Sequence, residues 1–156
     1  MLDKDIKECM NKYNTFYKKY KIYQVFSEKE FRHKFLSANN VCESFVIEQN
    51  GCITDFISVF YVNTRILNNN KYSDYSMAQI YHYFYSNIQN LIDMVDDIIC
   101  LMNKKNIDMV NCINQMDSYI FLDKLKFKEK NSINNFYLWN MKCLPVTQQD
   151  ISLITI

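Results

Sequence analysis

Asn50-Gly51 contains the only glycine of this 156-residue chain, and it constrains the fold more than any other pair of residues. The dipeptide joins the runs VCESFVIEQ and CITDFISVFYV, which are rich in Val, Ile, Phe and Tyr. Asn-Gly between two such runs is the strongest short-range signal for a β-hairpin, because its tight turn requires a positive φ at both residues. The sequence therefore predicts two antiparallel strands joined by a turn at this point.

The scarcity of glycine also bears on ligands. Walker A loops, dinucleotide-binding turns and acyl-CoA pyrophosphate loops all need several positions where the backbone closely approaches a phosphate. A chain with one Gly and one Pro can form none of them. We therefore expect this chain to bind no ATP, NAD or CoA through such a loop.

Composition narrows the classes of protein to which this chain can belong. Hydrophobic residues make up 49% of the chain, which is enough for a core, and 18 basic against 17 acidic residues leave no excess charge for binding nucleic acid. No apolar run approaches the roughly 18 residues of a membrane span. The charged start MLDKDIKE predicts that there is no signal peptide. The six cysteines lack metal-binding spacing, so we expect no metal, reduced thiols and a cytoplasmic location.

Hydrophobic periodicity predicts a helix over residues 2–20, a capped helix at 28–36 and another at 91–105. Strands are expected at 77–88, 107–113, 134–142 and 150–156, in addition to the hairpin, with a short strand or extended segment at 21–26 and a brief helix at 118–125. This alternation predicts an α/β fold with a mixed sheet, and a single domain over 1–156 in which an N-terminal helix (1–20) precedes the core (21–156). The expected core residues are Phe45, Ile47, Phe56, Ile98, Val110, Phe121, Leu125 and Leu138.

Four segments resemble, in order and spacing, the C-terminal half of eukaryotic N-myristoyltransferases. They are FVIEQNGCITDFIS (45–58), IDMVN (107–111), FLDKLKF (121–127) and FYLWNMKC (136–143), and the likeness covers roughly residues 20–156. The resemblance implies a GNAT-like (acyl-CoA N-acyltransferase-like) domain with a mixed, mostly antiparallel central sheet flanked by helices. It also implies the peptide-binding half of an enzyme that transfers myristoyl from CoA to an N-terminal glycine.

The resemblance further implies which residues form the site. That family uses its own terminal carboxylate as general base, and this role falls on Ile156 here. Its aromatic strand lining the peptide pocket corresponds to Tyr81, Tyr83 and Tyr85. Asn111 falls in the family's F-N-A-L-D pattern.

The family's K-F-G-x-G-D-G loop is the clearest departure. Lys126 and Phe127 are kept, but residues 128–132 read KEKNS, so all three glycines and the Asp are gone. Phe127 and Glu129 are the peptide-binding candidates in this loop, with Glu129 as a replacement for the lost charge. For two further polar residues the structural interpretation comes first: we expect His82 to be a hydrogen-bonded core residue and Asp55 to be a solvated carboxylate.

Two interpretations of the function stay open at this point. In one, the chain is an acyltransferase half whose co-substrate, myristoyl-CoA, is held by a separate acyl-CoA-binding half. In the other, it is a non-catalytic module derived from that enzyme, which binds peptide N-termini or serves in protein interaction. The expected partner is a peptide or protein with an N-terminal glycine. The chain is also expected to form a homodimer or a hetero-complex with an acyl-CoA-binding chain.

Overall fold

The computed structural model describes residues 1–38, 40–68, 71–130, 132–137, 139–140, 142 and 145–154. Its helices are α1 (Ile6–Phe16), α2 (Glu28–Phe35), α3 (Ile88–Lys104) and α4 (Tyr119–Leu122). Its strands are β1 (Cys42–Gln49), β2 (Cys52–Arg65), β3 (Asp74–Phe84) and β4 (Met109–Cys112). Short 3₁₀ turns occur at Asp3–Asp5, Tyr17–Lys19 and Gln148–Asp150.

The strands form one sheet in the order β1-β2-β3-β4. β1 and β2 are antiparallel, β2 and β3 are antiparallel, and β3 and β4 are parallel. The predicted hairpin is confirmed, with Gln49 opposite Cys52 and positive φ angles of 53° at Asn50 and 76° at Gly51. The prediction of a mixed, mostly antiparallel sheet flanked by helices is therefore also confirmed.

The helices begin and pack as their sequences dictate. In α2 the Ser27 side chain accepts from the Glu30 amide while the Glu30 carboxylate accepts from the Ser27 amide, which is the predicted capping box. α1 and α2 bury aromatic side chains against one face of the sheet, including Tyr13, Phe31 and Phe35. α3 buries a wide stripe: Leu91, Ile92, Met94, Val95, Ile98 and Met102.

Most of the predicted core lies where expected. Phe56, Ile98 and Phe121 are fully buried in it. Four others are only partly buried but pack against it: Phe45, Ile47, Val110 and Leu125. Leu138 lies outside the described residues.

Two predicted strands differ from the structure. The described residues of 134–142 contain no strand, and Tyr137 in that segment is 87% exposed. Among the described residues of 150–156, only Ile151 has β character, through one isolated parallel bridge to Ile22. Within the described chain this bridge is also the only β contact of the 21–26 segment, which was expected as a short strand or extended segment. Because a strand needs a partner as well as propensity, apolar alternation alone did not suffice here.

Candidate functional site

A groove of about 680 Å³ lies at the end of β4, and we call it the β4 groove. A volume of this size suits a small ligand or a short peptide segment. Its floor is formed by residues 111–115, one wall by residues 122–123, 127–130 and 132–136, and the other by Ile22 together with residues 146–148 and 151.

The topology explains why the floor is polar. β4 runs parallel to β3 with Asn111 opposite Gln79, and the Asn111 amide donates to Gln79 Oε1 at 2.7 Å. Beyond the carboxyl end of this strand the chain turns, and the Asn114 side-chain oxygen accepts from Ser118 Oγ at 3.3 Å. The carboxyl end of a parallel strand is a common place for binding residues, because side chains of neighbouring segments converge there.

Gln115 is the most buried polar residue of the floor, with 2% of its surface exposed. Its Nε2 donates to the Leu153 carbonyl at 3.3 Å, while its Oε1 has no hydrogen-bond partner within the described residues. Sequence reasoning did not select Gln115, because a glutamine beside a short strand has no distinctive pattern.

Phe127 reaches the wall through a helix C-terminal motif. The Phe127 amide donates to the Leu122 carbonyl at 2.9 Å and the Lys126 amide to the Asp123 carbonyl at 3.2 Å, which is a Schellman pattern. Lys126 holds the left-handed position of this motif with φ 58°. The Phe127 ring packs edge-on against Phe121 with centroids 6.0 Å apart.

The charged residues that follow Phe127 are Lys128, Glu129 and Lys130, and all three line the groove. They are exposed, and none of them forms an ion pair within the described part of the chain. Side chains therefore occupy this wall, and its two lysines and one glutamate give it no acidic character.

The structure places the three tyrosines predicted for the pocket away from the β4 groove. Tyr81 is buried and its hydroxyl lies 3.1 Å from Lys34 Nζ. Tyr83 is buried against Phe121, and its hydroxyl has no partner among the described residues. Tyr85 is partly buried and donates to Asp117 Oδ2 at 2.7 Å. Of the predicted set, the groove therefore brings together Asn111, Phe127 and Glu129, while Ile156 lies outside the described residues.

His82 is a neutral core residue, in agreement with its structural interpretation. Its Nδ1 lies 3.1 Å from the Tyr13 hydroxyl and 3.0 Å from the Tyr17 hydroxyl. Burial, together with the nearby charge of Lys34, lowers the pKa of His82 to about 3. It is thus uncharged at neutral pH and enclosed by aromatic rings, away from the groove.

Asp55 corrects one expectation, because it is fully buried and not solvated. Its carboxylate accepts from the Ser86 backbone amide at 2.7 Å, the Ser86 hydroxyl at 2.9 Å and the Asn90 side-chain Nδ2 at 3.1 Å. These donors lie at the start of α3, so Asp55 ties β2 to that helix. Because Asp55 and Ser86 are more than 30 residues apart in the sequence, no local pattern predicts this role.

Asp117 is a second carboxylate whose role the sequence did not reveal. Burial alone would raise the pKa of Asp117, but hydrogen bonds from Lys19, Tyr85 and Tyr20 and the charge of Lys19 lower it overall. The Lys19 ammonium also lies 3.8 Å from the centre of the Phe16 ring. The cluster fastens the end of α1 to the segment before α4, and its donors and acceptor satisfy one another.

Within the described residues, no three His, Cys, Asp or Glu side chains are grouped in a way that could hold a metal ion. Among the same residues, no helix has both the length and the apolar character needed to span a membrane.

Comparison with solved structures first defines the class of fold. A predicted acetyltransferase with acetyl-CoA from Clostridium acetobutylicum superposes with a TM-score of 0.66 at 15% identity, covering 86% of this chain and 90% of that one. At that identity the likeness shows only that the chain shares the fold of that acetyltransferase. The N-myristoyltransferase of Saccharomyces cerevisiae with bound myristoyl-CoA agrees more closely, with a TM-score of 0.78 at 27% identity over 84% of this chain and 36% of that one.

Sequence comparison then identifies the family. The profile described as "Myristoyl-CoA:protein N-myristoyltransferase, C-terminal domain" matches residues 1–153, and the chain belongs to this family. The glycylpeptide N-tetradecanoyltransferase of Plasmodium falciparum is 30% identical over 154 residues, which is 99% of this chain and 37% of that protein. The chain thus spans little more than a third of the length of this relative.

Proposed function

We propose that this chain is the peptide-binding part of an N-myristoyltransferase and that the β4 groove holds a polypeptide with an N-terminal glycine. One observation carries the proposal: in a chain of this family, the β4 groove brings Asn111, Phe127 and Glu129 together at the carboxyl end of a parallel strand. Amide side chains on the floor and an aromatic ring on the wall suit a polypeptide, which presents both polar main-chain groups and apolar side chains.

The acyl donor belongs to a different part of the enzyme in this proposal. The single glycine lies in the hairpin turn and not in a phosphate-binding loop, so myristoyl-CoA would be held by a separate acyl-CoA-binding half, in the cytoplasm. The Ile156 carboxylate remains the proposed general base. Tyr81, Tyr83 and Tyr85 remain proposed pocket residues that would act outside the β4 groove.

A non-catalytic binding module is the second candidate. The wall residues 128–130 favour it, because charged side chains stand where the resemblance leads us to expect a glycine loop. A groove altered in this way can retain peptide binding without supporting transfer.

Separate titrations test the proposal. A peptide with a free N-terminal glycine should bind the chain saturably in calorimetry, whereas myristoyl-CoA alone should not. Glu129→Ala should change the affinity for peptides with charged side chains, because Glu129 lines the groove and makes no ion pair in the described chain. Glu48→Ala is the matched control, because Glu48 is an exposed glutamate at the hairpin end. Saturable binding of myristoyl-CoA without binding of any glycine peptide would contradict the proposal.

A further inference from the structure

Gln115 carries an unsatisfied acceptor at the floor of the β4 groove. Only 2% of the residue is exposed, and its Oε1 has no partner within the described chain. Leaving a buried carbonyl oxygen without a hydrogen bond destabilises a folded protein, and native structures rarely do so without a reason. The groove beside it supplies a reason, because a bound molecule could provide the missing donor.

The orientation of the amide follows from its other end. Nε2 donates to the Leu153 carbonyl at 3.3 Å. Turning the amide over would place Oε1 against that carbonyl, so that two acceptors would face each other. Oε1 is therefore the free end of the side chain.

The backbone holds this side chain in place. The Gln115 amide donates to the Ile113 carbonyl at 2.9 Å, and the Gln115 carbonyl accepts from the Ser118 amide at 3.2 Å. The next residue, Met116, has a positive φ of 55°, which is uncommon for a residue with a long side chain. Such strain persists where the surroundings over-determine the conformation, and it occurs often at binding sites.

Two other buried hydroxyls also lack partners in the described chain, Ser44 Oγ and Tyr83 Oη. Neither residue lines the groove. Of these three residues, only Gln115 lines the β4 groove.

The chemistry of the acceptor selects the donor. A carboxamide oxygen is neutral and cannot compensate the charge of a buried ammonium group. The charged groups of the groove, such as Asp123 and Glu129, are exposed on its wall. A neutral N–H fits this position better, and a polypeptide main chain offers one at almost every residue.

We propose that Gln115 Oε1 accepts a hydrogen bond from a main-chain N–H of the polypeptide bound in the β4 groove. This inference rests on the proposed function and adds a binding residue to it. It makes Gln115 an anchor for the peptide backbone, independent of the peptide's side chains.

The test uses one probe and its N-methylated variants. The probe is the octapeptide Gly-Ala-Ala-Ser-Ala-Ala-Ser-Ala, and each variant carries a methyl group on a different main-chain nitrogen. Gln115→Met removes the acceptor and keeps a side chain of similar length. Gln49→Met is the matched control, because Gln49 is an exposed glutamine at the end of β1 and does not line the groove.

A net hydrogen bond between neutral groups corresponds to about 3- to 10-fold in affinity. Gln115→Met should weaken binding of the unmodified peptide by that factor, and Gln49→Met should not. One N-methyl position should weaken binding to the wild type equally but cause no further loss in Gln115→Met, because both changes remove the same bond. The melting temperature of Gln115→Met should stay within about 3 °C of the wild type, because removal of the unsatisfied carbonyl offsets loss of the Leu153 contact.

Three results would overturn the inference. In the first, Gln115→Met binds every peptide as the wild type does. In the second, every N-methyl effect persists unchanged in the variant. In the third, the variant loses affinity for all peptides together with a large fall in melting temperature, which would mean that Gln115 only anchors Leu153. If the wild type binds no peptide of the series, the proposed function itself fails and this inference fails with it.

Discussion

At the scale of single residues, burial decides what a titratable side chain can do. His82 is 1% exposed, and its Nδ1 lies within hydrogen-bonding distance of two tyrosine hydroxyls, so it is enclosed in an aromatic cluster away from water. Its pKa of about 3 keeps it neutral wherever the protein is folded near neutral pH. A buried, neutral imidazole of this kind contributes to the stability and the specificity of core packing.

The titration of His82 predicts a pH dependence of stability. Its pKa is about 3 in the folded chain and about 6.5 when unfolded, so below pH 6.5 the unfolded state binds the proton and the folded state does not. Its contribution is complete above pH 6.5 and is lost as the pH falls towards 3. Between pH 7 and pH 5 this group alone should remove about 2 kcal/mol of the free energy of unfolding.

Urea unfolding at the two pH values measures this effect. His82→Gln should abolish most of the difference between pH 7 and pH 5, whatever its own effect at pH 7. His33→Gln, at the other histidine of the chain, which is exposed on α2, should leave the difference intact. An unchanged pH dependence in His82→Gln would show that the buried imidazole is not responsible.

At the scale of elements, a chain with one glycine ends its helices with other residues. Five of the seven non-glycine residues with positive φ in the described chain are asparagines, and Asn106 ends α3 in this way. The Ile107 amide donates to the Met102 carbonyl and the Asn106 amide to the Asn103 carbonyl, both at 3.0 Å. Asparagine tolerates the left-handed conformation because its short polar side chain bonds locally. Lys126 occupies the equivalent position after α4 without that advantage.

Lys126→Gly should therefore stabilise the protein. Its φ of 58° costs a side-chain-bearing residue about 1 kcal/mol relative to glycine. In a domain of this size the melting temperature should rise by about 2–4 °C. The control is Lys124→Gly in the same turn. Lys124 does not have a positive φ, so this substitution should be neutral or destabilising. Equal falls in melting temperature in the two variants would contradict backbone strain at Lys126.

The same elements show what the sequence could and could not predict. The hairpin and the α2 capping box were predictable, because each is specified by residues within a few positions of one another. The absence of a strand among the described residues of 134–142 was not predictable, because β propensity does not indicate whether a partner edge will pair with the segment. Asp55 and Gln115 depend on contacts with Ser86 and Leu153, 31 and 38 residues away, which no local pattern reveals.

At the scale of the whole molecule, the distribution of aromatic residues is uneven. α1, α2 and β3 bury a closely packed aromatic core, whereas the 132–140 segment exposes Ile133 (85%), Tyr137 (87%) and Trp139 (94%). Large apolar side chains grouped on one segment are typical of an interaction surface, because exposing them to water is unfavourable. Residues 132–136 of this segment are part of the wall of the β4 groove, so a partner bound to the segment would border the proposed peptide site.

The proposed self-association can be followed through Trp139, the only tryptophan of the chain. At low concentration its fluorescence should resemble that of tryptophan in water and be strongly quenched by iodide, because 94% of the residue is exposed. As the concentration rises towards about 100 μM, a dimer with a dissociation constant in the micromolar range should shift the emission to the blue and protect it from iodide. Tyr137→Ser should weaken this transition, whereas Leu67→Ser, at a residue that is 78% exposed in another loop, should not. Sedimentation as a strict monomer over the same range, with water-like emission throughout, would contradict a homodimer and leave a different chain as the partner of this surface.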